Sequence, residues 1–83
     1  MAMFDPTKMT NAQKRLLNGL REAGNHGGIF DRWVRVVANG EILTPSGSSA
    51  ALTAFRYGLV KMDGERIRIT DLGRAALERV DPE

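Results

Sequence analysis

Leu16, Leu17, Leu20 and Ala23 recur at i, i+1, i+4 and i+7, the apolar stripe of an amphipathic helix. Thr10-Asn11-Ala12-Gln13 reads as its capping box, with Thr10 at the N-cap and Gln13 reaching back. Gly24 supplies a left-handed end, and Asn25-His26-Gly27-Gly28 reads as a loop. Gly19 falls off the stripe in this reading, where it costs about 1 kcal/mol relative to Ala.

The next segment admits two readings. Phe30, Trp33, Val34 and Val37 fall at i, i+3, i+4 and i+7, a second short helix with Asp31 as N-cap and Asn39-Gly40 as its end. The same letters fit a hairpin: Trp33 to Ala38 is rich in β-branched residues, Asn39-Gly40 is a favoured two-residue turn, and Glu41-Ile42-Leu43-Thr44 would return. Two patterns favour the helix. As strands, Val34, Val36 and Ala38 oppose Trp33, Arg35 and Val37, so neither face is cleanly polar. As a helix, Arg32, Arg35 and Asn39 point outward together. The choice over residues 31–44 stays open.

Thr44-Pro45 opens a further helix, an N-cap residue followed by Pro at the first helical position. Its spacing turns Ser48, Leu52, Phe55 and Leu59 inward and Ser46, Ser49, Ala50, Thr53, Arg56 and Tyr57 outward, with Gly58 as the stop. Trp33, Phe30 and Phe55 are read as core between this helix and the preceding element. From Val60 to Ile69 the chain alternates around Asp63-Gly64, predicting a hairpin that pairs Met62 with Glu65, Lys61 with Arg66 and Val60 with Ile67. That register puts Val60, Met62, Ile67 and Ile69 on one face and Lys61, Arg66 and Arg68 on the other. Thr70-Asp71 caps a last helix with Leu72, Ala75, Ala76 and Val80 inward, stopped by Asp81-Pro82. The expected organisation is a flexible segment 1–9, one domain over 10–81 and a tail of 82–83.

Helix, loop, helix, turn, helix, hairpin, helix is the element order of a winged helix-turn-helix domain: α+β, with about four helices and a two-stranded wing. The letters add a resemblance. Leu52-x-x-Phe55-x-x-Gly58-Leu59-Val60, then Asp63-Gly64, then Ile69-Thr70-Asp71-Leu72-Gly73-Arg74-Ala75-Ala76-Leu77 resembles the recognition-helix end, wing and following helix of bacterial multiple-antibiotic-resistance-type regulators. The likeness spans roughly residues 44–80 and is more specific to the fold than to any regulator family. It implies a DNA-binding domain. The chain departs from such regulators in its short second element and in lacking the long terminal helices through which they dimerise, which suggests a minimal winged helix of phage or plasmid type or a module joined to something else.

Composition narrows the class. With 83 residues, 42% hydrophobic and 27% charged, the chain is neither a disordered tail nor a rod. It has no Cys, so neither disulfides nor thiolate-bound metal can support so small a core. No apolar run approaches the roughly 20 residues of a membrane span. Met1-Ala2-Met3-Phe4-Asp5-Pro6 lacks the basic and apolar regions of a signal peptide, so the expected compartment is the cytoplasm. Catalysis is not expected. His26 is the only His, His26-Gly27-Gly28 lacks an accompanying Gly-x-Ser-x-Gly elbow, and Ser46-Gly47-Ser48-Ser49 lacks the Gly-Lys-Ser/Thr ending of a phosphate loop. No cofactor or metal is implied.

Net charge is only +2, so affinity for nucleic acid has to come from placement. Residues 1–60 carry seven basic and four acidic side chains, whereas residues 61–83 carry five and six. Nine of the twelve cations are Arg, the side chain suited to forked contacts with phosphate and guanine. The expected partner is double-stranded DNA. Ser46, Ser49, Thr53, Arg56 and Tyr57 would face the major groove, Lys61, Arg66 and Arg68 would hold the backbone from the wing, and Arg32 and Arg35 would flank the site. Asp63 and Glu65 at the wing tip oppose tight phosphate contact, so modest affinity per subunit and pairing of two copies on a two-part site are expected. The alternative is a protein-interaction module using the same small-residue face.

Overall fold

In the computed structural model the described residues are 9–31, 35–44 and 49–80. Arg32, Trp33, Val34, Pro45, Ser46, Ser48, Asp81 and Pro82, which enter the expectations above, lie outside them. Three α-helices are described: α1 (Asn11–Ala23), α2 (Ser49–Arg56) and α3 (Asp71–Val80). A 3₁₀ turn, Gly24–His26, follows α1. Strands β1 (Ile29–Asp31), β2 (Arg35–Ala38) and β3 (Glu41–Ile42) form one antiparallel sheet in that order. Strands β4 (Val60–Asp63) and β5 (Arg66–Ile69) form a second. The molecule is a small α+β domain. Among the described residues no helix is long and apolar enough to cross a membrane.

Helix α1 forms where the apolar spacing places it. Leu16, Leu17 and Leu20 are wholly buried and Ala23 nearly so. Thr10 Oγ1 accepts from the Gln13 N–H at 3.2 Å, which satisfies one of the orphan donors of the first turn. The other half of the capping box does not form. The Gln13 side chain is buried and donates through Nε2 to the Ala50 carbonyl at 2.7 Å, tying α1 to α2. Gly19 is not on an idle face either: a Cβ there would collide with the Leu43 side chain, so it is the approach point of the strand segment.

The second helix over 31–44 is not observed; the alternative, a hairpin, is. Asn39 and Gly40 both take positive φ (54° and 76°), the signature of a type I′ turn, and Ala38 pairs with Glu41 and Val37 with Ile42 around it. Val36 and Ala38 are buried, whereas Arg35 and Val37 are half-buried. That half-buried second face blurs the strand's two-residue period and lets a helical spacing fit the same letters. Thr44, expected to cap a helix, is buried, and its Oγ1 accepts from the Val36 N–H at 2.7 Å. Leu43 N–H donates to the Val36 carbonyl, also at 2.7 Å, so both main-chain groups of Val36 on that edge are satisfied.

Helix α2 is rotated from its expected setting. Ala50, Ala51 and Ala54 are buried, while Leu52 is 63% exposed. Phe55, with Phe30, packs against the core from a half-buried position. Alanines admit a close approach to α1, as the Gln13–Ala50 bond requires, and that proximity outweighs the larger apolar area of Leu52. Helix α3 is turned similarly. Gly73, Ala76 and Leu77 face inward, and Leu72 and Ala75 are exposed. A Cβ on Gly73 would strike the Leu59 carbonyl, which fixes this face. Thr70 caps α3, its Oγ1 accepting from the Gly73 N–H at 3.0 Å.

The second hairpin turns one residue later than Asp63-Gly64. Asp63 pairs with Arg66, Met62 with Ile67, Lys61 with Arg68 and Val60 with Ile69, leaving Gly64-Glu65 as the loop. Gly64 has φ 66° and Glu65 is not left-handed, as in a loop of the II′ kind with Gly first. The register moves by two residues, so the two expected faces survive unchanged. Ile67 and Ile69 are buried against α1 and α3, and Gly28 joins the hairpin through paired 2.8 Å bonds with Ile67.

Candidate nucleic-acid interface

Opposite the three buried alanines, α2 presents Ser49, Leu52 and Arg56, with half-buried Thr53 beside them. These positions fall at i, i+3, i+4 and i+7 and form one outward stripe. No acidic residue lies on α2. Ser49, Thr53 and Arg56 thus share the face expected of them. Ala50 does not, because it is buried against α1. Tyr57 is half-buried and packs against the core. Ser46 lies outside the described residues, as does Arg32.

On the β4–β5 hairpin, Lys61, Arg66 and Arg68 share a face as the alternation predicted, but in different states. Lys61 is exposed and, among the described residues, makes no salt bridge. Arg66 Nη1 donates to the His26 carbonyl at 2.9 Å. Arg68 Nη2 donates to the Asn25 carbonyl at 2.7 Å, and its Nη1 pairs with Asp63 at 2.9 Å. Its Nε is buried without a partner. These two arginines cap the carbonyls of the 3₁₀ turn after α1, where the helix dipole favours positive charge. Arg35 is paired with Asp31 across the β1–β2 pair. Arg56, by contrast, is exposed and makes no salt bridge among the described residues.

Between the β4–β5 hairpin and the start of α3 lies an open cleft of about 470 Å³, lined by Lys61, Arg68, Arg74, Thr70 and Asp71 among others. Arg74 is not singled out by any local pattern, since only the fold brings it beside Lys61 and Arg68. Its pairing with Asp71 at 3.5 Å, one helical turn away, offsets part of its charge. Among the described residues no three His, Asp or Glu side chains converge as metal ligands. Among the described residues the surface carries the hydroxyls of Ser49 and Thr53 beside Arg56 and Lys61, neither of which makes a salt bridge there. No family model, curated protein or solved structure matches the chain.

Proposed function

We propose that this chain is a small DNA-binding regulator of the winged-helix kind, with α2 as the helix that enters the major groove and β4–β5 as the wing. The observation that carries this reading is the outward stripe of α2: Ser49, Thr53 and Arg56 on an acid-free helix, diametrically opposed to the alanines that seat it. Small hydroxyl side chains let a helix approach base edges closely, and an unpaired Arg is free to fork onto guanine. The order α1, β1, α2, wing, α3, with Gly28 bridging to β5, is compatible with that fold. The β2–β3 hairpin stands where such domains carry a helix. Two copies on a two-part site would supply the specificity that one short helix lacks.

The test is a salt titration of binding to random duplex DNA. Each phosphate neutralised contributes about 0.9 to the slope of log K against log salt, so Lys61, Arg66 and Arg68 acting together on phosphates predict a slope of about −2.7, and Lys61 alone about −0.9. Absence of binding at low salt would sink the reading. A second reading, a protein-interaction module, is favoured by one observation: Leu52, Leu72 and Met62 are exposed apolar side chains at 63%, 57% and 45%. Its probe is Leu52→Asp rather than any change at buried Ala50. Under that reading Leu52→Asp abolishes capture of the partner, and added salt matters little.

A further inference from the structure

We propose that Leu52 reads the 5-methyl group of a thymine, so that the preferred site of this protein contains a T within about two base pairs of the guanine contacted by Arg56. The inference rests on the DNA reading above and adds a residue and a base to it.

Leu52 is 63% exposed at the centre of the outward face of α2, away from Ala50, Ala51 and Ala54. Its neighbours on that face are Ser49, Thr53 and Arg56, so it is a single apolar side chain among polar ones. A protein-binding helix presents a contiguous apolar stripe of i, i+3, i+4 and i+7 anchors. The major groove instead offers hydrogen-bonding edges interrupted by one apolar element, the thymine methyl. One Leu flanked by two hydroxyls and a guanidinium is the complement of that pattern. The charge agrees, since α2 carries Arg56 and no acid. Leu52 and Arg56 are one turn apart, a rise of about 6 Å, against roughly 3.4 Å between successive bases on a strand. The two side chains therefore reach bases separated by at most about two steps.

The test begins by selecting preferred duplexes from a random pool with the full chain. In the selected duplex each thymine is then replaced in turn by deoxyuridine, which removes the methyl and leaves every hydrogen-bonding group in place. Binding is read by fluorescence anisotropy for the native protein and for Leu52→Ala. One thymine is expected to cost the native protein about fourfold in Kd when demethylated, the equivalent of one buried methyl at about 0.8 kcal/mol. Leu52→Ala is expected to bind the thymine and deoxyuridine duplexes equally. Because Leu52 is exposed and Ala favours helix, circular dichroism of the variant should match the native protein. The inference is overturned if no thymine shows the loss, or if Leu52→Ala keeps the discrimination, as it would were Leu52 a protein contact. Failure to select any duplex at all would overturn the DNA reading itself, a distinguishable result.

Discussion

Replacing Thr44 by Val tests the hairpin that displaces the expected second helix. Thr44 is 2% exposed, and its Oγ1 is the acceptor for the amide of Val36, which is itself wholly buried. Valine keeps the shape and removes the acceptor, stranding a buried N–H at a cost of about 1–3 kcal/mol. For a domain of this size each kcal/mol moves Tm by roughly 4–8 °C, so a mid-range loss lowers Tm by roughly 8–16 °C. Thr44→Ser is the control. It keeps the hydroxyl and gives up one methyl, about 1 kcal/mol. Thermal unfolding followed by circular dichroism gives the order, with Val worse than Ser. Hydrogen exchange locates the effect, because the Val36 amide should lose protection in Thr44→Val and retain it in Thr44→Ser. If Thr44 served only to cap the following helix, Val36 exchange would be indifferent to both changes. A Ser variant less stable than the Val variant, or an unchanged Val36 amide, would refute the account.

Gly73→Ala drives a Cβ into the Leu59 carbonyl, a main-chain atom that cannot swing aside, so it should destabilise by about 1–3 kcal/mol in chemical denaturation. Leu17→Ala, at a wholly buried position, should cost about 3–5 kcal/mol and leave so small a domain largely unfolded at 37 °C. In the salt titration Lys61→Gln should flatten the slope by about 0.9 with no change in Tm. Arg66→Gln should lower Tm as well, because it also removes the bond to His26. Arg56→Ala should leave affinity for random duplex within a few-fold and relax preference at one guanine, read by competition between selected and scrambled duplexes.

The parts legible in the sequence are those decided locally. The Leu16, Leu17, Leu20 stripe, the Thr10 and Thr70 caps and the alternation of Val60 to Ile69 are each written within a few neighbouring residues, and each forms. Even the displaced turn at Gly64-Glu65 leaves the hairpin faces intact, because a register shift of two residues preserves side-chain alternation. What escaped was decided between elements. Gln13 abandons its own helix end for the Ala50 carbonyl, and Ala50 turns inward in consequence, rotating α2 and exposing Leu52. Gly19 and Gly73 are contact surfaces for Leu43 and Leu59, partners distant in sequence. The candidate site inherited the same division. Helical spacing places Ser49, Thr53 and Arg56 outward, whereas the apolar size of Leu52 points it inward and its exposure is set by the packing of Ala50 on α1. The engagement of Arg66 and Arg68 with the carbonyls of Asn25 and His26 joins segments about forty residues apart, which no local pattern records.

That engagement decides how the hairpin can respond to whatever touches it. A two-stranded ribbon on a free hinge would tilt to follow a curved surface. Here Ile67, one pair in from the turn, is bonded to Gly28, and two guanidiniums grip the turn that ends α1. Tilting it requires these four hydrogen bonds to give way. These bonds restrain the angle between the hairpin and α1, and through it the angle between the hairpin and α2, which packs on α1. A duplex spanning both would have to supply the curvature itself. Selection among sequences would then include their stiffness, with flexible pyrimidine–purine steps favoured at positions that no side chain reaches.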